Sequence, residues 1–192
     1  MELIDTRRAD VAAGMYGDVL GWPLSVGHRR RPRQGCTCGQ SDCPTPGAHP
    51  VPGAMTWHGG TGMVSELAAS PGAGIIAWAA LFDALVLPRT VGMAAMTSLD
   101  RIAPVPCLTH EKTAVLLVLP ATGRYALDGV GVGEVRSGRD QWIALPPSYG
   151  VRWDTTPWVE QTTTPVQLLH GQDLRPHLRE AATHWRSPEA AS

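Results

Sequence analysis

The chain has 192 residues, a formal net charge of -1 and 43% apolar residues, which suits one globular domain with its own core and excludes a disordered chain. A near-neutral balance excludes a global field that recruits nucleic acid, so any polyanion site has to be local. No apolar run approaches the ~20 residues of a membrane span, and the opening segment carries Glu2 and Asp5 with no basic-then-apolar leader pattern, so a cytoplasmic protein without membrane association is expected.

Residues 5–19 read as a helix, with Asp5 placed to cap it and Val11, Met15 and Val19 recurring on one face. Gly21 ends this helix, and Pro23–Gly27 reads as a strand. Residues 28–60 are rich in Gly, Pro, Cys and His and have no apolar period. A segment that long is usually functional, or ordered by something other than a core. A short helix follows at 61–69, then strands at 74–78 and 82–87. The next helix spans 91–102, with Val91, Ala95, Leu99 and Ile102 at helical spacing. A wholly apolar strand at 114–119 stops at Pro120. Short strands are expected at 124–127, 131–136, 141–145 and 150–153. Asp173 can cap a last helix running to about Trp185, with Leu174, Leu178, Ala181 and Trp185 inward, before a frayed tail.

This order predicts an α+β fold, with one domain over 1–186, a knuckle at 34–50 inserted in it, and a flexible tail at 187–192. The strands at 74–78, 82–87, 114–119 and 141–145 are expected in one mostly antiparallel sheet, with helices 5–19 and 91–102 packed on it.

The clearest chemistry lies in the long loop. Cys36, Cys38, Cys43 and His49 form a Cys₃His set, a standard tetrahedral shell for a structural Zn²⁺ with no open coordination position. Gly39, Pro44, Pro46 and Gly47 supply the turns that return the last two ligands to the first two. The bland alternative is a surface loop with free thiols. His28, Asp42 and His58 lie nearby as spare polar groups. Directly before the cluster stand Arg29, Arg30, Arg31 and Arg33, with no acidic residue between Asp18 and Asp42. Such a stretch can grip a nucleic-acid backbone or a nucleotide, or simply be a solvated basic loop. Lys112 is the only lysine among sixteen Lys and Arg residues, which reads as a coding bias or as phosphate recognition.

The order of these motifs resembles the bifunctional DNA primase/polymerase (prim-pol) family over roughly residues 8–155. The resemblance is carried by Gly21-Trp22-Pro23, by the Cys/His knuckle, and by Leu145-Pro146-Pro147-Ser148 followed by Val151-Arg152-Trp153. It implies an archaeo-eukaryotic-primase-like fold, an RRM-like sheet with packed helices, and a history of nucleotidyl transfer in DNA replication. Active members hold two catalytic Mg²⁺ or Mn²⁺ ions with an Asp-x-Asp pair on a strand. Alignment on Phe82 and Gly92 puts Val86 and Pro88 at those positions. The phosphate-binding histidine of a second family motif falls on Val115. Asp83, Glu134 and Asp140 are the remaining weak candidates for catalytic carboxylates, although Asp83, at the start of its strand, reads rather as a simple surface residue. Arg136, Arg139 and Ser148 are candidates for contacts in the nucleotide cleft.

Other groups have plainer readings. Cys107 reads as a small buried residue, and His170, His177 and His184 as surface histidines. The seven tryptophans read mostly as core, since there is a single Phe, although they could also stack on bases. The sequence therefore points to a degenerate prim-pol-like domain that binds nucleic acid or nucleotide, with lost or weak transfer activity. The alternatives are an active primase/polymerase with rearranged carboxylates and a zinc-stabilised scaffold for a protein partner such as a replication protein.

Overall fold

The computed structural model describes residues 4–183 and Trp185, so the expected tail at 187–192 and His184 lie outside the described residues. The first helix, α1, spans Ala9–Gly14 and continues as a π-helical turn, Met15–Val19. The wide turn rotates the apolar stripe. The buried residues are Ala12, Ala13, Met15, Tyr16 and Gly17, while Val11 and Val19 are half-buried. Asp5 does not cap this helix; its Oδ1 accepts from the Arg7 N–H at 3.0 Å.

The strands and helices that follow are β1 (Pro23–Gly27), β2 (Arg30–Arg31), β3 (Gly35–Cys36), β4 (Trp57–His58), α2 (Gly60–Ala69), β5 (Gly74–Trp78), β6 (Asp83–Pro88) and α3 (Arg89–Leu99). The second half contains β7 (Cys107–His110), β8 (Thr113–Val118), α4 (Gly123–Leu127), β9 (Glu134–Arg136), β10 (Trp142–Leu145), β11 (Val151–Thr155) and α5 (Gly171–Thr183). No helix among the described residues is long and apolar enough to cross a membrane.

The fold is α+β with antiparallel sheets, but the single-sheet expectation is corrected. The four strands divide between a sheet ordered β10-β5-β1-β4 and a sheet ordered β11-β7-β8-β6-β9. Each strand has two edges. Those of β5 are taken by β1 and β10, and those of β6 by β8 and β9, so these consecutive strands cannot pair with each other. An apolar run shows that a strand is buried, but it does not name its neighbours.

Side-chain alternation in the five-stranded sheet separates two cores. Ala84, Leu108, Val115 and Leu117 join Leu24, Val26, Ile75, Ala77, Ile143 and Leu145 of the other sheet, together with α1 and α2. From the opposite face, Leu85, Leu87, Leu116 and Val118 pack with Met96 and Leu99 of α3 and with Leu174 and Leu178 of α5. Tyr16, Trp22, Phe82, Trp153 and Trp158 form an aromatic knot in the first core, with ring centroids 4.8–6.4 Å apart. The Trp153 indole N–H donates to the Tyr16 hydroxyl at 2.9 Å, and burial raises the Tyr16 pKa.

Three further expectations change. Residues 124–127 are helical, because the Asp83 carboxylate accepts the Gly123 N–H at 2.8 Å and starts α4 there. Ile102 lies beyond the end of α3 and is exposed. Helix α5 begins at Gly171, whose N–H is accepted by Thr122 Oγ1 at 2.9 Å, so Asp173 sits in its first turn and is not the cap.

Candidate functional site

The four knuckle residues converge. One ligand atom from each of Cys36, Cys38, Cys43 and His49 lies within 4.8 Å of the other three, and these residues are positioned to hold a metal ion. His49 Nε2 is 3.3 Å from Cys36 Sγ and 3.4 Å from Cys43 Sγ. A tetrahedral ion with bonds of about 2.1 Å to nitrogen and 2.3 Å to sulfur needs N···S edges of about 3.5 Å, so the donor set fits such an ion. Among the described residues it is the one group of three or more His, Cys, Asp or Glu with that reach.

Local structure explains the convergence. The β2–β3 ribbon pairs Arg30 with Cys36, and His49 is held by its carbonyl, which accepts the His28 N–H at 2.8 Å. Gly47 has φ +75°, and a Cβ there would meet the Arg30 backbone and Tyr149, so only glycine suits this turn. The Gly47 N–H points at Cys36 Sγ, 3.4 Å away. Burial pushes the Cys36 thiol up, but hydrogen bonds from the Cys38 and Gly47 backbone and from His49 outweigh it and bring the thiol down to about 6. Burial and the neighbouring thiols push Cys43 up to about 11. A bound cation would deprotonate both. The His28 ring packs on His49 at 4.5 Å, and its Nδ1 meets Thr37 Oγ1 at 3.0 Å; it supports the fourth ligand from outside the cluster.

The arginine stretch stands on the same ribbon. Arg29 donates to the Pro71 carbonyl at 2.9 Å. Arg30 lies over the Tyr149 ring at 4.4 Å. Arg31 reaches Gln34 at 3.5 Å, and Arg33 occupies a left-handed turn with φ +64°. Arg30, Arg31 and Arg33 are exposed.

A cleft of about 550 Å³ opens between the two sheets. Its floor includes Val86, Leu108 and Val115, and the knuckle supplies a wall through Pro44, Thr45 and Ala48. His110, Glu111, Lys112 and Arg136 supply its charged and titratable lining. Val86 and Val115 are cross-strand partners, so the two positions matched to a family carboxylate and a family histidine are neighbours on one floor, and both are aliphatic.

The carboxylate candidates are not brought together. Asp83 is 2% exposed, which corrects the reading of it as a surface residue, and strand alternation places it on the sheet face opposite Val86. It anchors α4, with Oδ2 accepting the Gly123 N–H and Oδ1 buried without a partner. Glu134 pairs with Arg136 at 2.7 Å. Asp140 lines a separate cavity with Arg139, Trp78 and His58. Ser148 is buried, and its hydroxyl donates to the Ile75 carbonyl at 3.1 Å and accepts the Ile75 N–H at 3.0 Å. It therefore pins a loop to β5. Sequence reasoning missed the cleft-lining Lys112 and the strand Cys107–His110, whose mixed residues carry no strong period. No family model, curated protein or solved structure matches the chain.

Proposed function

We propose that this chain is a prim-pol-like domain that binds nucleic acid or nucleotide and has lost, or nearly lost, nucleotidyl transfer. The observation that carries the reading is the aliphatic cleft floor. Val86 and Val115, both matched by the resemblance to polar catalytic positions, line the same cavity as Arg136. That coincidence supports the alignment, and the same residues remove its chemistry. Two-metal transfer needs carboxylates that bridge ions about 3.5–4 Å apart, and valine side chains offer only methyl groups.

The knuckle is read as a structural Zn²⁺ site. Three thiolates and an imidazole suit zinc, and four protein ligands leave no position for substrate. Its work is to order a loop that lacks a core of its own, and so to hold the arginine ribbon and one cleft wall in place.

The test combines primer extension in Mg²⁺ and Mn²⁺ with salt-dependent DNA binding. The expected result is no extension, with an affinity that falls as salt rises and is weakened by Arg29→Ala and Arg31→Ala. Robust extension abolished by Glu134→Ala would restore the enzyme reading. Absence of both synthesis and binding would favour a scaffold for a protein partner.

A further inference from the structure

Trp78 and Trp142, on neighbouring strands, belong to neither core cluster. Trp22 and Trp158 are buried, and Trp153 joins them in the aromatic knot. Trp78 and Trp142 are half-buried, and among the described residues neither packs on another aromatic ring. They are directly opposite each other in the β5–β10 pairing. Directly opposed residues share a sheet face, with Cβ atoms about 4.5–5.5 Å apart. Their neighbours along the strands, Ala77 and Ile143, belong to the core; Trp142 lines the mouth of the cleft between the sheets beside Arg136, and Trp78 lines the adjoining cavity beside Arg139.

Cations flank this pair. The Arg136 guanidinium lies 5.1 Å from the Trp142 ring centroid and donates to the Trp142 carbonyl at 3.2 Å. Arg139 lines a cavity of about 680 Å³ together with Trp78, His58 and Leu81. The loop carrying Arg139 is clasped to the sheet, since Gly138 N–H donates to the Ala79 carbonyl at 2.9 Å and Ala79 N–H to Gln141 at 2.8 Å. Trp78 is fixed in turn by its indole N–H, which donates to Ser25 Oγ at 3.1 Å. Nearby acids limit the charge: Glu134 is paired with Arg136, and Asp140 lines the Trp78 cavity.

We propose that Trp142 and Trp78, flanked by Arg136 and Arg139, form a stacking platform for the unpaired bases of single-stranded nucleic acid. The proposal rests on the nucleic-acid reading above and names the strand form and the residues that read it. Fixed rings on a sheet face stack on any exposed base, whereas a duplex hides its base faces. With Arg136 already neutralised by Glu134, Arg139 is the main phosphate contact of this surface. Stacking therefore outweighs charge there.

The experiment titrates the full chain with an oligothymidylate of about a dozen nucleotides, within the site sizes of single-strand binders, and with a duplex of mixed sequence. Tryptophan fluorescence and anisotropy are the readouts. Trp78→Ala and Trp142→Ala are expected to weaken single-strand binding between about fivefold and a hundredfold each and to leave duplex binding unchanged. Trp78→Phe and Trp142→Phe keep a ring and are expected to retain most of the affinity, which separates stacking from damage to the sheet. Arg139→Ala should lower the logarithmic salt slope by about 0.7. If both Ala variants bind the oligomer like wild type while Arg29→Ala loses it, the platform is wrong and the nucleic-acid reading stands. Equal losses on duplex and single strand also overturn the platform. If no nucleic acid binds at all, platform and reading fall together.

Discussion

The knuckle and the cleft floor sit against each other and are ordered by different means. The cleft floor belongs to a five-stranded sheet whose central strands, β6, β7 and β8, are buried on both faces, and packing orders it. In the segment from Cys36 to His49 only Cys36, the end of β3, belongs to a strand, and few apolar side chains are buried; in the proposed reading an ion on the four ligand atoms does the work that a core does elsewhere. The proposed structural-zinc reading thus asks a bound ion of the first region and packing of the second.

The largest expected effect breaks the knuckle. Cys43→Ser, or removal of the ion by a chelator, should release loop 36–49 and lower the melting temperature, because structural zinc contributes several kcal/mol to the fold it holds. Elemental analysis of the wild type should give one zinc per chain; under half an equivalent would sink the assignment. Hydrogen exchange should locate the loosening in the knuckle and its cleft wall, with α3, α5 and β8 unaffected. Acid should act in the same direction, since protons compete with the ion for its ligands, and metal affinity should fall as pH falls.

A smaller effect is expected in the packed region. Asp83→Ala leaves the buried Gly123 N–H without its acceptor and should cost about 1–3 kcal/mol in denaturant unfolding. It should leave nucleic-acid affinity unchanged, because this side chain lies across the sheet from the cleft; a loss of binding with normal stability would return Asp83 to the site. Asp18→Ala is milder. Asp18 Oδ1 accepts the Gly60 N–H at 2.7 Å at the start of α2, and loss of that cap should cost about 1 kcal/mol.

The smallest perturbation is chemical labelling. Burial, aided by the carboxylates of Asp154 and Asp100, pushes the Cys107 thiol up to about 12, so it should stay unlabelled in the folded chain near pH 8. The three knuckle thiols should react once the ion is withdrawn. Labelling of Cys107 at the knuckle's rate would show that the two regions do not differ in the way described.

The knuckle is legible in the sequence because its ligands lie within fourteen consecutive residues and their chemistry restricts the outcome. The strands at 23–27, 74–78 and 142–145 are legible because their apolar runs stop at clear turn residues. The division into two sheets is not, because pairing depends on contacts such as that of β5 with β10, more than sixty residues away in sequence. The helix at Gly123–Leu127 is hidden for the same reason: its start is set by Asp83, forty residues earlier. The Trp142–Trp78 pair is equally hidden, since only strand register places the two on one face.

Ser148 carries a consequence for how such chains are recognised. Its hydroxyl serves both the N–H and the carbonyl of Ile75 and so stitches the Pro-Pro-Ser loop to the neighbouring strand, β5. A residue occupied in this way is selected by architecture whether or not any reaction takes place nearby. A Pro-Pro-Ser signature can therefore outlive the chemistry of the proteins in which it is familiar. Its presence speaks to shape. Under the proposed reading, activity would be decided elsewhere, at cleft-floor positions such as Val86 and Val115.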